Sequence, residues 1–180
     1  YTPAEMRAAH KILATYNYSP AKIEKGYAGK TLFIDLSTNT IKEKEVTSFM
    51  KEHFIGGRGF GLYYLWHAIT PNTKWDDPEN EIIISPGPLS GTTVYPGAGK
   101  SLVVSLSPLT HIPIDSNVGG YFGPLMKFSG FDALEIRGKA KTDVIIVIDG
   151  DRGRVTIEEA LLESTDSHLL AEELNEMYTS

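Results

Sequence analysis

Residues 86–100, PGPLSGTTVYPGAGK, carry three prolines and four glycines in fifteen positions. No helix survives that density, and no central strand tolerates the missing proline N–H groups. The segment is therefore a long loop, and what it joins must be short. On its two sides lie the runs Glu81–Ser85 and Ser101–Ser107, apolar, rich in Ile and Val and only a few residues long. Runs of that length and composition, bounded by turn residues, read as buried strands. The rest of the chain divides in the same way. Leu32, Ile34 and Leu36 alternate along Lys30–Ser37, a turn follows at Ser37-Thr38-Asn39, and Thr40–Val46 reads as a more polar second strand of an antiparallel hairpin. Ala133–Arg137 and Val144–Ile148 read as strands. The Gly- and Asp-rich turn Asp149–Gly153 leads into Arg154–Glu158 as a second hairpin. Helices are expected over residues 3–18, 48–54, 62–69 and 124–129. A last one is capped by Asp166, with Leu170, Leu174, Met177 and Tyr178 on one face. Residues 108–120 read as loop. The fold class expected is α+β, a β-rich domain with N- and C-terminal helices.

The sequence repeats this order of elements. Gly29-Lys30-Thr31-Leu32 ends in Leu36-Ser37, and Gly99-Lys100-Ser101-Leu102 ends in Leu106-Ser107. Ile55-Gly56-Gly57 precedes one helix and Val118-Gly119-Gly120 another, with a strand after each. Such self-similarity marks a duplicated unit, so two similar halves related by a pseudo-twofold are expected.

At 180 residues the chain is one ordinary domain with short arms. We divide it into a helical arm (1–25), the main body (26–160) and a C-terminal helix (161–180) that leads to further domains. It opens on Tyr1 rather than methionine, so a cut or processed N-terminus is expected. A net charge of −6 argues against nucleic acid as a partner, because a phosphate-tracking surface is basic. No apolar run approaches a membrane-spanning length, so no membrane partner is expected. There is no cysteine, which excludes disulfides and cysteine-ligated clusters held by this chain and fits a reducing, cytoplasmic location. The five histidines are scattered without a metal-binding spacing.

Three glycine-rich stretches compete for function. Gly56–Gly61 lacks the dinucleotide-binding spacing and reads as a tight turn where backbone packs on backbone. Pro96–Ser101 ends like a phosphate-binding loop, but Val94 stands where the first glycine is required and a strand follows instead of a helix, so a nucleoside triphosphate site is rejected. A loop ending in one cation, Lys100, still suits an anion or a polar heterocycle. In Asp115–Pro124, Gly119-Gly120 leads into a short helix and can turn several N–H groups toward one point; Lys127 follows, able to point to solvent. A glycine needed only for its backbone angles explains that stretch equally well. No catalytic residue is assigned, since no nucleophile-and-base spacing is present.

The wording of five segments goes further. Gly56-Gly57-Arg58-Gly59-Phe60, Pro86–Thr92, Ser107–Thr110, Ser116–Gly123 and Lys127–Asp132 resemble, in order and spacing, the first domain of aldehyde:ferredoxin oxidoreductases. The resemblance covers residues 26–160. It implies two similar β-rich halves that form a base for a tungsten, or sometimes molybdenum, bis-pterin cofactor. Later domains or a second subunit cover that cofactor and ligate a [4Fe–4S] cluster outside this chain. The implied reaction oxidises an aldehyde to a carboxylic acid and passes electrons through the cluster to ferredoxin. A homo-oligomer is left open. By resemblance, Asn117 offers a backbone carbonyl to a magnesium ion bridging the pterin phosphates. Gly119 and Gly120 lie against the cofactor, and Lys100 replaces a typical arginine between pterin and cluster. The isolated chain is expected to be inactive. The alternatives are a non-catalytic scaffold or assembly module, and a relative acting on an aromatic acyl thioester.

Overall fold

Strand pairing organises the chain around a six-stranded sheet. The computed structural model describes residues 2–160, 162, 164 and 166–178. β2 (Lys30–Asp35) and β3 (Thr40–Glu45) form the expected antiparallel hairpin, with Ile34 opposite Ile41. β7 (Ala133–Arg137) lies parallel to β2, and β4 (Glu81–Pro86) runs antiparallel to β7. β5 (Ser101–Leu106) is antiparallel to β4, and β6 (Pro113–Val118) closes the far edge, giving the order β3-β2-β7-β4-β5-β6. A second sheet, ordered β1-β9-β8, holds β1 (Lys11–Asn17), β9 (Arg154–Glu159) and β8 (Val144–Asp149).

Alternation along the strands makes two cores. On one face Ile83, Val104 and Ala133 meet Phe60, Tyr64 and Leu65 of α3 (Arg58–Ala68) and Met50 of α2 (Ser48–His53). On the other, Leu32, Ile34 and Leu134 meet Val155 and Ile157 of β9, with Met126 of α4 (Phe122–Phe128) and Phe131 beside them. Each fully buried Leu, Ile, Val, Phe or Met among them stabilises the fold by about 1.5–3 kcal/mol. α1 (Pro3–Ala8) packs on α5 (Ser167–Tyr178). Behind them His10, Thr156 and Tyr178 all hydrogen-bond the Glu158 carboxylate, at 3.2, 2.8 and 2.7 Å.

Several expectations change. The helix expected over 3–18 is six residues long, started by Pro3 and a Thr2/Glu5 capping box. Residues 11–17 form β1 instead, because β-branched and aromatic side chains there find a partner in β9. The expected loop 108–120 contains β6. Its Pro113, Asp115 and Asn117 are poor strand formers, but an edge strand tolerates them and β5 imposes the register. α3 begins four residues earlier than expected, at Arg58, because its glycines are packing residues rather than breakers. A Cβ on Gly61 would overlap Val104, and one on Gly59 the Phe54 carbonyl. Close backbone approach is thus the role of this stretch. β7 runs parallel to β2, while β4 runs antiparallel to β5. A twofold relating the halves strand for strand is therefore not shown. The C-terminal helix carries its Asp166 cap, which accepts from His168 and Leu169 N–H at 2.8 and 3.0 Å; residues 161, 163, 165, 179 and 180 lie outside the described set.

Candidate functional site

The glycine-rich stretches converge at one end of the six-stranded sheet. Pro86 ends β4 opposite Ser101, which begins β5, and Ser101 pairs in turn with Val118 at the end of β6. The same register carried outward sets Lys100 opposite Gly119 and Gly99 opposite Gly120. A Cβ on Gly99 would stand 3.0 Å from the Gly120 carbonyl. Asn117 pairs with Leu102 one step inside. Lys100, Asn117, Gly119 and Gly120 are thus brought together, and all four are exposed. Gly120 has φ +85°, a left-handed conformation that glycine adopts without strain, and it turns the chain into α4.

Neighbouring loops complete the surface. The Gly57 N–H donates to the Pro86 carbonyl at 3.1 Å, which ties the turn before α3 to the end of β4. Tyr27 OH donates to the Ile55 carbonyl at 2.6 Å; burial, and then the Asp132 charge, push its phenol above the usual range. Among the described residues a Cβ on Gly119 or Gly120 would meet nothing within 4 Å, so this backbone is open to whatever approaches it. Beneath it Ser90 and Ser101 are buried, and among the described residues neither hydroxyl has a hydrogen-bond partner. Both face Gly123, where a Cβ would crowd them. Ile55, Leu89, Val94, Tyr95 and Tyr121 are exposed on the same loops, Val94 by 89% and Tyr121 by 82%. An apolar, glycine-lined platform of that kind is an interface surface.

Lys127 does not belong to the open surface. It lies in the last turn of α4 and is 1% exposed, ion-paired with Asp132, itself 1% exposed. Its ammonium also donates to the Gly26 carbonyl at 3.0 Å. The Asp132 carboxylate accepts the N–H groups of Ala28 and Gly29 at 3.0 and 2.7 Å. The pair therefore staples residues 26–29 beneath the platform. Among the described residues no three His, Cys, Asp or Glu side chains gather into a metal-binding group.

Residues 31–180 match the N-terminal domain of aldehyde ferredoxin oxidoreductase. The chain belongs to this family. It is 38% identical over 158 residues to a tungsten-containing aldehyde ferredoxin oxidoreductase of Pyrococcus horikoshii, covering 85% of this chain and 26% of that protein. The corresponding Pyrococcus abyssi protein is 42% identical over 123 residues, 68% of this chain and 20% of its own length. The WOR-like subunit of an aliphatic sulfonate oxidoreductase from Pyrococcus furiosus is 39% identical over 130 residues, 69% of this chain and 20% of that subunit. Among solved structures, the active site complex BamBC of benzoyl coenzyme A reductase with 1,5-dienoyl-CoA has a TM-score of 0.76 at 28% identity, covering 86% of this chain and 23% of its own. The chain thus spans about a quarter or less of these relatives. The family's first domain is a part of an oxidoreductase, and the chain shares its mixed α and β fold.

Two features of this family domain escaped the sequence reading. Lys127 and Asp132 flank the Phe-Ser-Gly-Phe motif, and their spacing of five was a usable sign of an ion pair across the end of α4. The orphan hydroxyls of Ser90 and Ser101 had no such sign, because their meeting depends on how two distant loops pack.

Proposed function

We propose that this domain is the base on which a tungsten, or molybdenum, bis-pterin sits in an oxidoreductase that converts aldehydes to carboxylic acids. The observation that carries the reading is the open backbone at Gly119 and Gly120 with Lys100 in register across from it. The platform suits a flat, polar, phosphate-bearing group: exposed backbone without side chains lets such a group approach closely, and one cation answers its negative charge. Asn117 would offer its carbonyl to a magnesium ion at the phosphates, and Gly119 and Gly120 would lie against the pterin. When bound, the metal centre supplies the two-electron oxidation of the aldehyde. This chain's part is to hold and orient. The Lys127–Asp132 staple fixes the segment under the platform, and the apolar loops exclude water once other domains close over them.

The sequence has no cysteine, so a [4Fe–4S] cluster with thiolate ligands would be held elsewhere in the enzyme, with ferredoxin beyond it as acceptor. The remaining domains, on this polypeptide or on a second subunit, would supply the substrate pocket. Similarity to tungsten-containing aldehyde ferredoxin oxidoreductases supports aldehydes as substrate. The test is Gly119→Val in the assembled enzyme. The variant should fold, since the added side chain meets open space, and should lose tungsten by elemental analysis. Native tungsten content in a folded Gly119→Val enzyme would refute the site.

A further inference from the structure

Among the described residues four strands stand at sheet edges, and they are not alike. Edge strands are kept from pairing by charge, proline or bulges. β3 reads TIKEKE, with four charges. β6 begins with Pro113 and carries Asp115. β1 begins with Lys11 and has a register shift between Ile12 and Ala14. β8 has none of these devices: its sequence is VIIVID, with one charge at its last residue. Among the described residues it pairs with β9 alone. The Ala160 N–H donates to the Asp143 carbonyl, which sets Asp143, Ile145 and Val147 as the residues bonded to β9. By antiparallel alternation, the N–H and C=O groups of Val144, Ile146 and Ile148 point to the free edge.

The space beside that edge is shaped. A groove of about 850 Å³ runs along residues 145–152, walled by Leu125 and Phe128 of α4 with Ser129 just after it, and by Arg7, Leu174 and Tyr178 on the other face. Leu125 and Phe128 are 60% and 57% exposed. Sharing Leu125, Ser129, Ile146 and Ile148 with the groove is a pit of about 350 Å³, lined almost wholly by apolar side chains. The α4 wall is thus apolar with a pit, and the opposite wall carries Arg7 and Tyr178.

We infer that β8 is a docking edge for one extended strand, which adds to the β1-β9-β8 sheet as its fourth member. A strand that alternates a large apolar residue toward the pit with a polar residue toward Arg7 and Tyr178 fits both walls. The groove is walled on both faces. A single extended segment enters it; the β8 edge of a second copy brings its own α4 and α5 and does not. The relatives are four to five times the length they share with this chain, so the strand comes from the remainder of the enzyme. This rests on the reading that the domain is part of a larger oxidoreductase.

Amide hydrogen exchange of residues 144–149 tests it, in the 180-residue chain and in the tungsten-loaded assembled enzyme. In the chain alone, Ile146 and Ile148 should exchange at least 100-fold faster than Ile145 and Val147. In the assembly they should slow to match them, and Leu125→Glu, on the exposed wall, should restore fast exchange while the fold is kept. Fast exchange in a tungsten-loaded assembly overturns the docking and leaves the cofactor reading standing. Protection in the chain alone that grows with concentration, together with a dimer by sedimentation, assigns the edge to a second copy and overturns it too.

Discussion

Replacing Lys127 by Met removes an ammonium that is 1% exposed and leaves the Asp132 carboxylate without its counter-charge. Breaking a buried ion pair from one side costs about 3–5 kcal/mol, because a charge is stranded in a poor solvent. Asp132 keeps two backbone donors, Ala28 and Gly29, which places that loss near the lower end. The Gly26 carbonyl loses the ammonium as a donor, which adds about 1 kcal/mol. The expected destabilisation is therefore about 3–4 kcal/mol, a large share of the roughly 5–15 kcal/mol that holds an ordinary domain. For a domain of this size it lowers Tm by roughly 6–16 °C. Urea unfolding followed by tryptophan fluorescence measures it. Lys100→Met, at an exposed lysine, should change stability by less than about 0.5 kcal/mol. Adding Asp132→Asn to Lys127→Met removes the stranded charge and should recover part of the loss. If Lys127→Met stays within 1 kcal/mol of the native chain, the staple is not a stability element and the reasoning fails.

Burial pushes the Glu81 carboxyl up to about 7, the Glu135 charge adds to the rise, and Lys44 opposes it; burial raises Glu135 as well. The folded chain therefore holds a proton that the unfolded chain releases near pH 4.5, and stability falls, on the order of 1–3 kcal/mol, as pH rises from about 4.5 to 7. Glu81→Gln should flatten that fall in urea midpoints between pH 5 and 8; an unchanged slope would assign it to other groups. In the assembled enzyme, Lys100→Ala should lower the cluster's reduction potential, since a positive charge favours the reduced state, while Lys100→Arg should be tolerated. A redox titration in which alanine changes nothing makes Lys100 a surface residue. The isolated chain, assayed anaerobically with an aldehyde and a dye acceptor, should show no turnover; robust activity would contradict its role as a base for other domains.

Most of the sheet was legible because its strands are short, β-branched and fenced by glycine and proline. Ile82, Ile83 and Ile84 announce β4 whatever surrounds them. β1 and β6 were not legible, since neither is made by its own residues. Ala and Leu repeat through residues 3–18 as in a helix, yet Lys11–Asn17 becomes a strand because β9 offers an edge. Pro113–Val118 is polar and pairs because β5 dictates its register. In the candidate site, glycine positions were readable because close approach and left-handed angles demand that residue. The convergence of Lys100 on Gly119 was not, because it follows from how β4, β5 and β6 line up at one end. Lys127 shows the opposite failure: a cation near a glycine loop looked available to a ligand, and the fold uses it as a buried tie.

The place of β7 between β2 and β4 bears on how the domain is made. Thr31 pairs with Ala133, and Ile84 with Leu134, so the middle of the sheet is supplied last. During synthesis, β2, β3, α3, β4, β5 and β6 leave the ribosome before the strand that joins them exists. Until Arg137 emerges, two half-sheets present the bare, apolar edges of β2 and β4 to each other and to any other chain. Long-range pairing of this sort is slow and exposed to misassembly. Asp132, which gathers the 26–29 segment beneath the platform, arrives one residue before β7. The 26–29 segment is therefore tied beneath the platform only in the same late step that closes the sheet.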